Sequence, residues 1–113
     1  MGRTPLYLGE FEQLVLLAIL RLGAEAHGTG IGRALEAHAN RRVSRGALYT
    51  TLDRLEQKQL VRWKIASGGE ERQRLPRRLY TLTARGLASL RAAQHAFRQM
   101  ARGFEDVLKD PSA

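Results

Sequence analysis

The stretch Ser44–Val61, SRGALYTTLDRLEQKQLV, decides the fold. Ser44 is a good helix N-cap, because its hydroxyl can accept a hydrogen bond from a backbone N–H that the first turn leaves unpaired. Leu48, Leu52 and Leu55 follow at i, i+4 and i+7, which puts them on one side of a helix. At about 100° per residue, the opposite side carries Gly46, Thr50 and Asp53, with Tyr49 and Arg54 at its flanks. That outer face is small, hydroxylated and aromatic instead of the usual mixture of Glu and Lys. A helix packed by three leucines that shows hydroxyl, phenol and guanidinium groups outward is shaped to enter a major groove. The alternative is an amphipathic core helix with an ordinary surface.

Charge separates these readings. The chain of 113 residues carries a net charge of +8. Between Arg41 and Tyr80 there are eleven Lys/Arg against four Asp/Glu, a net +7; the other 73 residues contribute +1. General solubility charge would be spread more evenly, whereas a localised basic segment is the footprint of a polyanion binder. Sixteen of the nineteen basic residues are arginine, the side chain suited to bidentate contacts with phosphate or guanine.

Upstream, residues 1–8 read as a short arm and Gly9–Leu22 as a helix. Phe11, Leu14, Val15, Ala18 and Leu22 share one face of it, while Leu16, Leu17, Ile19 and Leu20 fill much of the other. A helix apolar nearly all round must be buried on two sides. One small domain offers one core, so Leu16 and Leu20 are expected to meet a second subunit. Gly23 supplies a stop. His27-Gly28-Thr29-Gly30 leads into a helix over about Thr29–Ala39, with Ile31, Leu35 and His38 in register. Its three glycines in five residues resemble a phosphate-cradling loop, but no strand precedes them and no Lys-Ser/Thr follows, so a turn and close helix packing explain them better. Two short helices joined through Asn40-Arg41-Arg42 make a helix-turn-helix.

Downstream, Val61, Trp63 and Ile65 alternate with Arg62 and Lys64, the period of a half-buried strand. Ser67 to Pro76 reads as a loop holding Arg72 and Arg74. Arg77–Thr83 returns as a second strand, with Tyr80 and Leu82 facing one way and Leu79 and Thr81 the other. A basic hairpin directly after a helix-turn-helix is a wing, whose arginines lie along phosphates or reach into a minor groove. Glu70 and Glu71 oppose that reading and fit a plain solvated loop. Thr83 can cap a last helix running to about Lys109. In it Leu87, Leu90, Gln94, Phe97, Ala101, Phe104 and Leu108 keep a 3-4 alternation, the seam of a coiled coil. Packing against a partner's copy would bury this seam; folding back on its own domain is the alternative.

Several classes of function are excluded. A hydrophobic content of 43% argues for a folded chain. The longest apolar run, Leu14–Leu20, has seven residues, far short of the roughly 20 of a membrane span. The start of the chain lacks the pattern of a signal peptide, and there is no cysteine, so a cytoplasmic location is expected. His27, His38 and His95 show no metal-ligand spacing, and no nucleophile elbow or P-loop is present. Neither an enzyme nor a cofactor is expected.

The same residues resemble the PadR-type bacterial transcriptional regulators. The resemblance is carried by the apolar run Leu14–Leu22, by His27-Gly28-Thr29-Gly30-Ile31 and by Ser44-Arg45-Gly46-Ala47-Leu48-Tyr49. It continues through Leu52-Asp53-Arg54-Leu55-Glu56, Leu60-Val61 and Tyr80-Thr81-Leu82-Thr83-Ala84-Arg85-Gly86, with Leu90 one turn on. It covers about Leu8 to Leu108.

It implies a mainly α fold with a small β-hairpin (α+β), a winged helix-turn-helix with a long C-terminal dimerisation helix. The division would be a DNA-binding domain over 1–83 and a dimerisation helix and tail over 84–113. It also implies a homodimeric repressor on a palindromic operator in double-stranded DNA, often released by a small aromatic effector. The DNA-contacting set would be Arg41, Arg42, Ser44, Arg45, Gly46, Tyr49, Thr50, Arg54, Arg72, Arg74 and Arg77. The dimer set would be Leu16 and Leu20 with the heptad residues above. Trp63 and Phe97 are the candidates to line an effector site.

Two positions depart from the family pattern, which has proline where Thr50 stands and glycine where Gln59 stands. Threonine restores a backbone donor and adds a hydroxyl. Glutamine in a left-handed helix cap costs about 1 kcal/mol relative to glycine, unless the helix ends differently here. A winged-helix adaptor that binds protein and does not read DNA is the competing function.

Overall fold

In a computed structural model of the chain, which describes residues 8–66 and 77–109, the first helix, α1, spans Glu10–Leu22. Its start is held by the Glu12 carboxylate, which accepts the Gly9 N–H at 3.0 Å, an acidic side chain answering the unpaired donors of the first turn. Glu12 also pairs with Lys58 at 2.7 Å, so this buried carboxylate is satisfied from two sides.

Contrary to expectation, α1 is not apolar on two free faces. Val15, Leu16, Ala18 and Ile19 are all buried in the chain's own core, and only Leu17 and Leu20 stand exposed, at 39% and 48%. Because i, i+1, i+3 and i+4 cover a broad arc of a helix, one core takes in most of what looked like a second face. Leu16 is fully buried and is therefore withdrawn from the dimer set.

The second helix, α2, spans Gly28–Ala39, and His27 caps it through Nδ1, which accepts the Gly30 N–H at 3.3 Å. It ends at Asn40, in the left-handed region at φ 55, a conformation that asparagine tolerates. The third helix, α3, spans Arg45–Gln57 and begins as the sequence predicts, with Ser44 Oγ accepting the Ala47 N–H at 3.1 Å. Leu48, Leu52 and Leu55 are buried, joined by Thr51.

At its other end Gln59 takes φ 65. The Gln59 N–H donates to Glu56 O at 2.8 Å and the Leu60 N–H to Leu55 O at 2.9 Å. These are the paired bonds of a Schellman ending. The left-handed cap is therefore present, with glutamine bearing the strain that glycine would avoid.

Strand β1, Val61–Ala66, pairs antiparallel with β2, Arg77–Leu82, in the register Val61↔Leu82, Trp63↔Tyr80. Val61 and Tyr80 are buried and Trp63 and Leu82 pack against the core, while Arg62, Lys64 and Thr81 face outward. The Tyr80 N–H donates to Ala26 O at 2.9 Å, which ties the hairpin to the link between α1 and α2. The loop with Arg72 and Arg74, and the first seven residues of the arm, lie outside the described residues.

The fourth helix, α4, spans Ala84–Ala101. Its start is locked onto the end of α3. Thr83 Oγ1 accepts the Gly86 N–H at 2.9 Å and donates to Gln59 O at 2.7 Å, and the Thr83 N–H donates to Leu60 O at 3.0 Å. Gly86 sits so close that a Cβ there would lie 2.0 Å from Leu60 O.

The expected single helix to Lys109 is broken. Gly103 takes φ 90, its N–H donates to Glu105 Oε1 at 3.0 Å, and a short helix, α5, restarts over Glu105–Lys109. Glycine in a helix costs about 1 kcal/mol relative to alanine, and here the chain uses it to turn. Phe104 and Leu108 therefore leave the line of Leu87, Gln94, Phe97 and Ala101. Leu90 is buried in the chain's own core and also leaves the dimer set.

Because the atom facing Gly86 is a backbone carbonyl, any side chain there must move the joint itself. We expect Gly86→Ala to destabilise the fold by about 2–3 kcal/mol in urea unfolding. A loss below about 0.5 kcal/mol, the range of an ordinary surface change, would show that the contact is not restrictive.

Candidate nucleic-acid interface

Ser44, Arg45, Gly46, Ala47, Thr50, Asp53, Arg54 and Gln57 are all exposed and form the outer face of α3. The Ser44 hydroxyl accepts from Ala47, which leaves its own hydrogen free to donate. A Cβ at Gly46 would meet nothing within 4 Å, so packing does not demand glycine there. In a helix it is unfavourable by about 1 kcal/mol relative to alanine, and what it provides is open backbone at the start of α3.

Tyr49 is a correction. The sequence places it at the flank of the outer face, but its ring is half-buried against the core. Its hydroxyl oxygen fills the space over α2, where a Cβ on Gly28 would lie only 2.0 Å away. Tyr49 is thus a spacer between α3 and the start of α2, with Arg45 over its ring at 6.0 Å. It does not belong with the groups that face outward.

Cations ring the outer face. Arg41 pairs with Glu10 at 2.7 Å and Arg42 with Glu36 at 3.6 Å, and the Arg42 side chain keeps 83% of its surface. Exposed pairs of this kind contribute about 0–1 kcal/mol, so a phosphate can displace either carboxylate. Arg54 is exposed at the far end of α3.

On the wing, Arg78 stacks 4.1 Å over the Trp63 ring and reaches Asp53 at 3.8 Å. It partly answers the one acidic group on the outer face and clamps the wing to α3. It also covers Trp63, whose Nε1 is buried without a hydrogen-bond partner. Burial pushes the Tyr80 phenol up, against the opposing pull of Arg78. The sequence placed Arg78 in the wing without giving it this role; its diagonal position two residues from Tyr80, the cross-strand partner of Trp63, was the available signal.

Arg77 stands at the start of β2, paired with Ala66 at the loop end of the described hairpin, with Nη1 3.2 Å from His27 Nε2. An imidazole that accepts at Nδ1 and stays neutral carries its proton on Nε2, so that proton faces a guanidinium. Burial first, and Arg77 next, hold the His27 imidazole below its ordinary pKa; Glu25 opposes and Arg33 adds to the lowering.

A profile of the family described as "Transcriptional regulator PadR-like family" matches residues 16–92. The chain belongs to the PadR-like family of transcriptional regulators. The match takes in α2, α3, both strands and the first half of α4, and it stops before Phe97.

Solved structures agree on the fold. A PadR-like transcription factor from Bacteroides fragilis is 24% identical, with a TM-score of 0.67, over 86% of this chain and 88% of its own. A PadR family regulator from Clostridium difficile R20291 is 21% identical, with a TM-score of 0.69, over 88% and 99%. One from Eggerthella lenta is 27% identical, with a TM-score of 0.63, over 88% and 87%. A comparison with curated proteins gave no match.

A PadR-like regulator is a DNA-binding protein and not an enzyme. Among the described residues no cluster of His, Cys, Asp and Glu could hold a metal ion, and no helix is long and apolar enough to cross a membrane.

The depressed His27 pKa links folding to pH. The unfolded chain, at about pH 6.5, binds this proton more readily than the folded chain. The contribution is therefore complete above about pH 6.5 and lost as pH falls through the folded value. His27→Asn keeps an N-cap acceptor that does not titrate. We expect wild-type stability to fall relative to this variant when urea unfolding is followed from pH 7.5 to pH 5; parallel profiles would contradict the assignment.

Proposed function

We propose that the protein is a homodimeric repressor that reads a palindromic operator with α3 and grips phosphates on either side of it. The observation that carries this reading is the outer face of α3. Its hydroxyls, guanidinium groups and unneeded glycine stand free of the core, in the segment that holds nearly all of the excess positive charge. Ser44, Arg45, Gly46 and Thr50, toward the start of the helix, are the base-reading candidates. Arg41, Arg42, Arg54 and Arg77, with Arg72 and Arg74 beyond the described residues, are the phosphate-binding candidates.

Dimerisation is supported by an apolar surface that the chain leaves uncovered. Phe97, Met100, Phe104 and Leu108 are 59–83% exposed, and Leu20 is 48% exposed. Aromatic and aliphatic side chains this exposed, the first four of them between residues 97 and 108, are what an interface would cover. A second copy, with Leu87, Gln94 and Ala101 completing the seam of α4, would bury it and place the two α3 helices on successive major grooves about 34 Å apart.

Release by a small aromatic effector follows from the family resemblance. Of its two candidate lining residues, Phe97 is open, at 63% exposed, whereas Trp63 is roofed by Arg78.

The adaptor reading predicts no role for the outer face of α3 in DNA binding, and two substitutions separate the alternatives. Neither side chain packs in the core, so both variants remain folded and dimeric. Arg45→Ala should weaken operator binding by about 1–3 kcal/mol, with a shallower dependence on salt if the contact is to phosphate. Thr50→Ala should relax base preference at one position of the half-site. Measured by fluorescence anisotropy on sequences selected from a random DNA pool, unchanged affinity and unchanged base preference in both would leave the adaptor as the function.

A further inference from the structure

In a dimer of this kind the protein must hold its two reading helices at a fixed separation, and that separation depends on the angle between α3 and α4. Helix α3 packs on α1, α2 and β1, and α4 packs on α1 and β2. Their direct connection is the turn Lys58–Leu60 on one side and Thr83 with Gly86 on the other. Three hydrogen bonds centre on Thr83: one received from the Gly86 N–H at 2.9 Å, one given by its hydroxyl to Gln59 O at 2.7 Å, and one given by its N–H to Leu60 O at 3.0 Å.

The Gln59 and Leu60 N–H groups in turn close the last turn of α3 on Glu56 O and Leu55 O. The side chain that starts α4 is thus hydrogen-bonded to the residue that ends α3. Gly86 removes the slack, since its Cα lies against Leu60 O with no room for a Cβ.

We infer that Thr83, acting through Gln59 O, is a positioning residue that sets the distance between the two DNA-reading helices and so selects the half-site spacing of the operator. The inference rests on the dimeric DNA-binding reading. Thr83 touches no DNA in this scheme; it fixes an angle. A rotation of a few degrees at the joint is magnified along α4, whose 18 residues extend about 27 Å to the far end of the dimer seam. The chain's left-handed Gln59 fits the same role. A strained cap persists where its surroundings over-determine it, and here the surroundings are the Thr83 hydroxyl and the two bonds back into α3.

Most substitutions at Thr83 remove two functions at once, the cap of α4 and the link to Gln59. Thr83→Asp separates them. Aspartate is as good an N-cap as threonine or better, but its carboxylate has no hydrogen to give to Gln59 O. Thr83→Ser keeps both.

The test uses the full-length protein and duplexes carrying two half-sites, obtained from the wild-type protein by selection from random DNA, with the spacer varied one base pair at a time. We expect wild type and Thr83→Ser to favour one spacing. Thr83→Asp should remain dimeric, bind a single half-site as wild type does, and lose about tenfold of the preference for that spacing, the effect of one hydrogen bond. Equal loss at every spacing and on the single half-site would reduce Thr83 to a structural residue and overturn the inference. So would an unchanged preference.

Should Thr83→Asp fail to fold, Thr83→Gly is read in its place: glycine is tolerated at an N-cap but has no hydroxyl to give to Gln59 O. The spacing preference is then expected to broaden while single half-site binding is kept, and an unaltered preference there overturns the inference equally. A wild-type protein with no spacing preference would instead contradict the dimeric reading on which the inference rests.

Discussion

The structure turns on two backbone carbonyls, those of Gln59 and Leu60. They end α3, and they receive the hydroxyl and the N–H of Thr83 at the start of α4. Each is an acceptor that the close of a helix or a turn would otherwise leave to water. Joining them to the first turn of the next helix satisfies four groups with one threonine, and the missing side chain at Gly86 lets the two backbones meet. The outer face of α3 and the apolar side of α4 are placed relative to each other through that contact and through α1, on which both helices pack.

Electrostatics then divides the surface. The carboxylates of Glu10, Glu12 and Glu36 each take a basic partner on a neighbouring element, and Asp53 takes Arg78. The consequence is a set of pairs of unequal worth. Glu12–Lys58 is largely withdrawn from solvent and holds α3 to α1, whereas Arg42–Glu36 is open and contributes little. The first belongs to the fold. The second leaves a guanidinium that a stronger anion can take. An arginine clamped over Trp63 is of a third kind, because Arg78 is held by a ring face and a carboxylate and serves to fix the wing.

Much of this was legible in the sequence, and the residues that were misread share a cause. The leucine spacing in α3, the Ser44 and Thr83 caps, the alternation in β1 and the left-handed position at Gln59 are local features, and local periodicity and capping chemistry report them directly. Leu16, Leu90 and Tyr49 were assigned outward because helical position alone does not say how wide an arc the core covers. In each case a neighbour from another element decides: the core closing over both sides of α1, the packing of α4 against it, and the bare backbone of Gly28 that admits a phenol. The break at Gly103 is intermediate. The glycine was visible as a weak point in a heptad run, but whether a helix tolerates it or turns there depends on what the next turn gains, here the hydrogen bond to Glu105. The joint at Thr83 was half visible, as a cap without its second partner, since nothing in a sequence shows that a threonine will also reach across to residue 59.

The claim that organises all of this is that two copies of α3 enter neighbouring major grooves of one DNA duplex. Hydroxyl-radical and dimethyl-sulfate footprinting of the wild-type protein on a sequence selected from random DNA tests it most directly. Two protected blocks with guanine N7 protection in the major groove, related by two-fold symmetry and centred about one helical turn apart, is the predicted result. A single block, or protection that spreads evenly over any duplex without a preferred sequence, would contradict it.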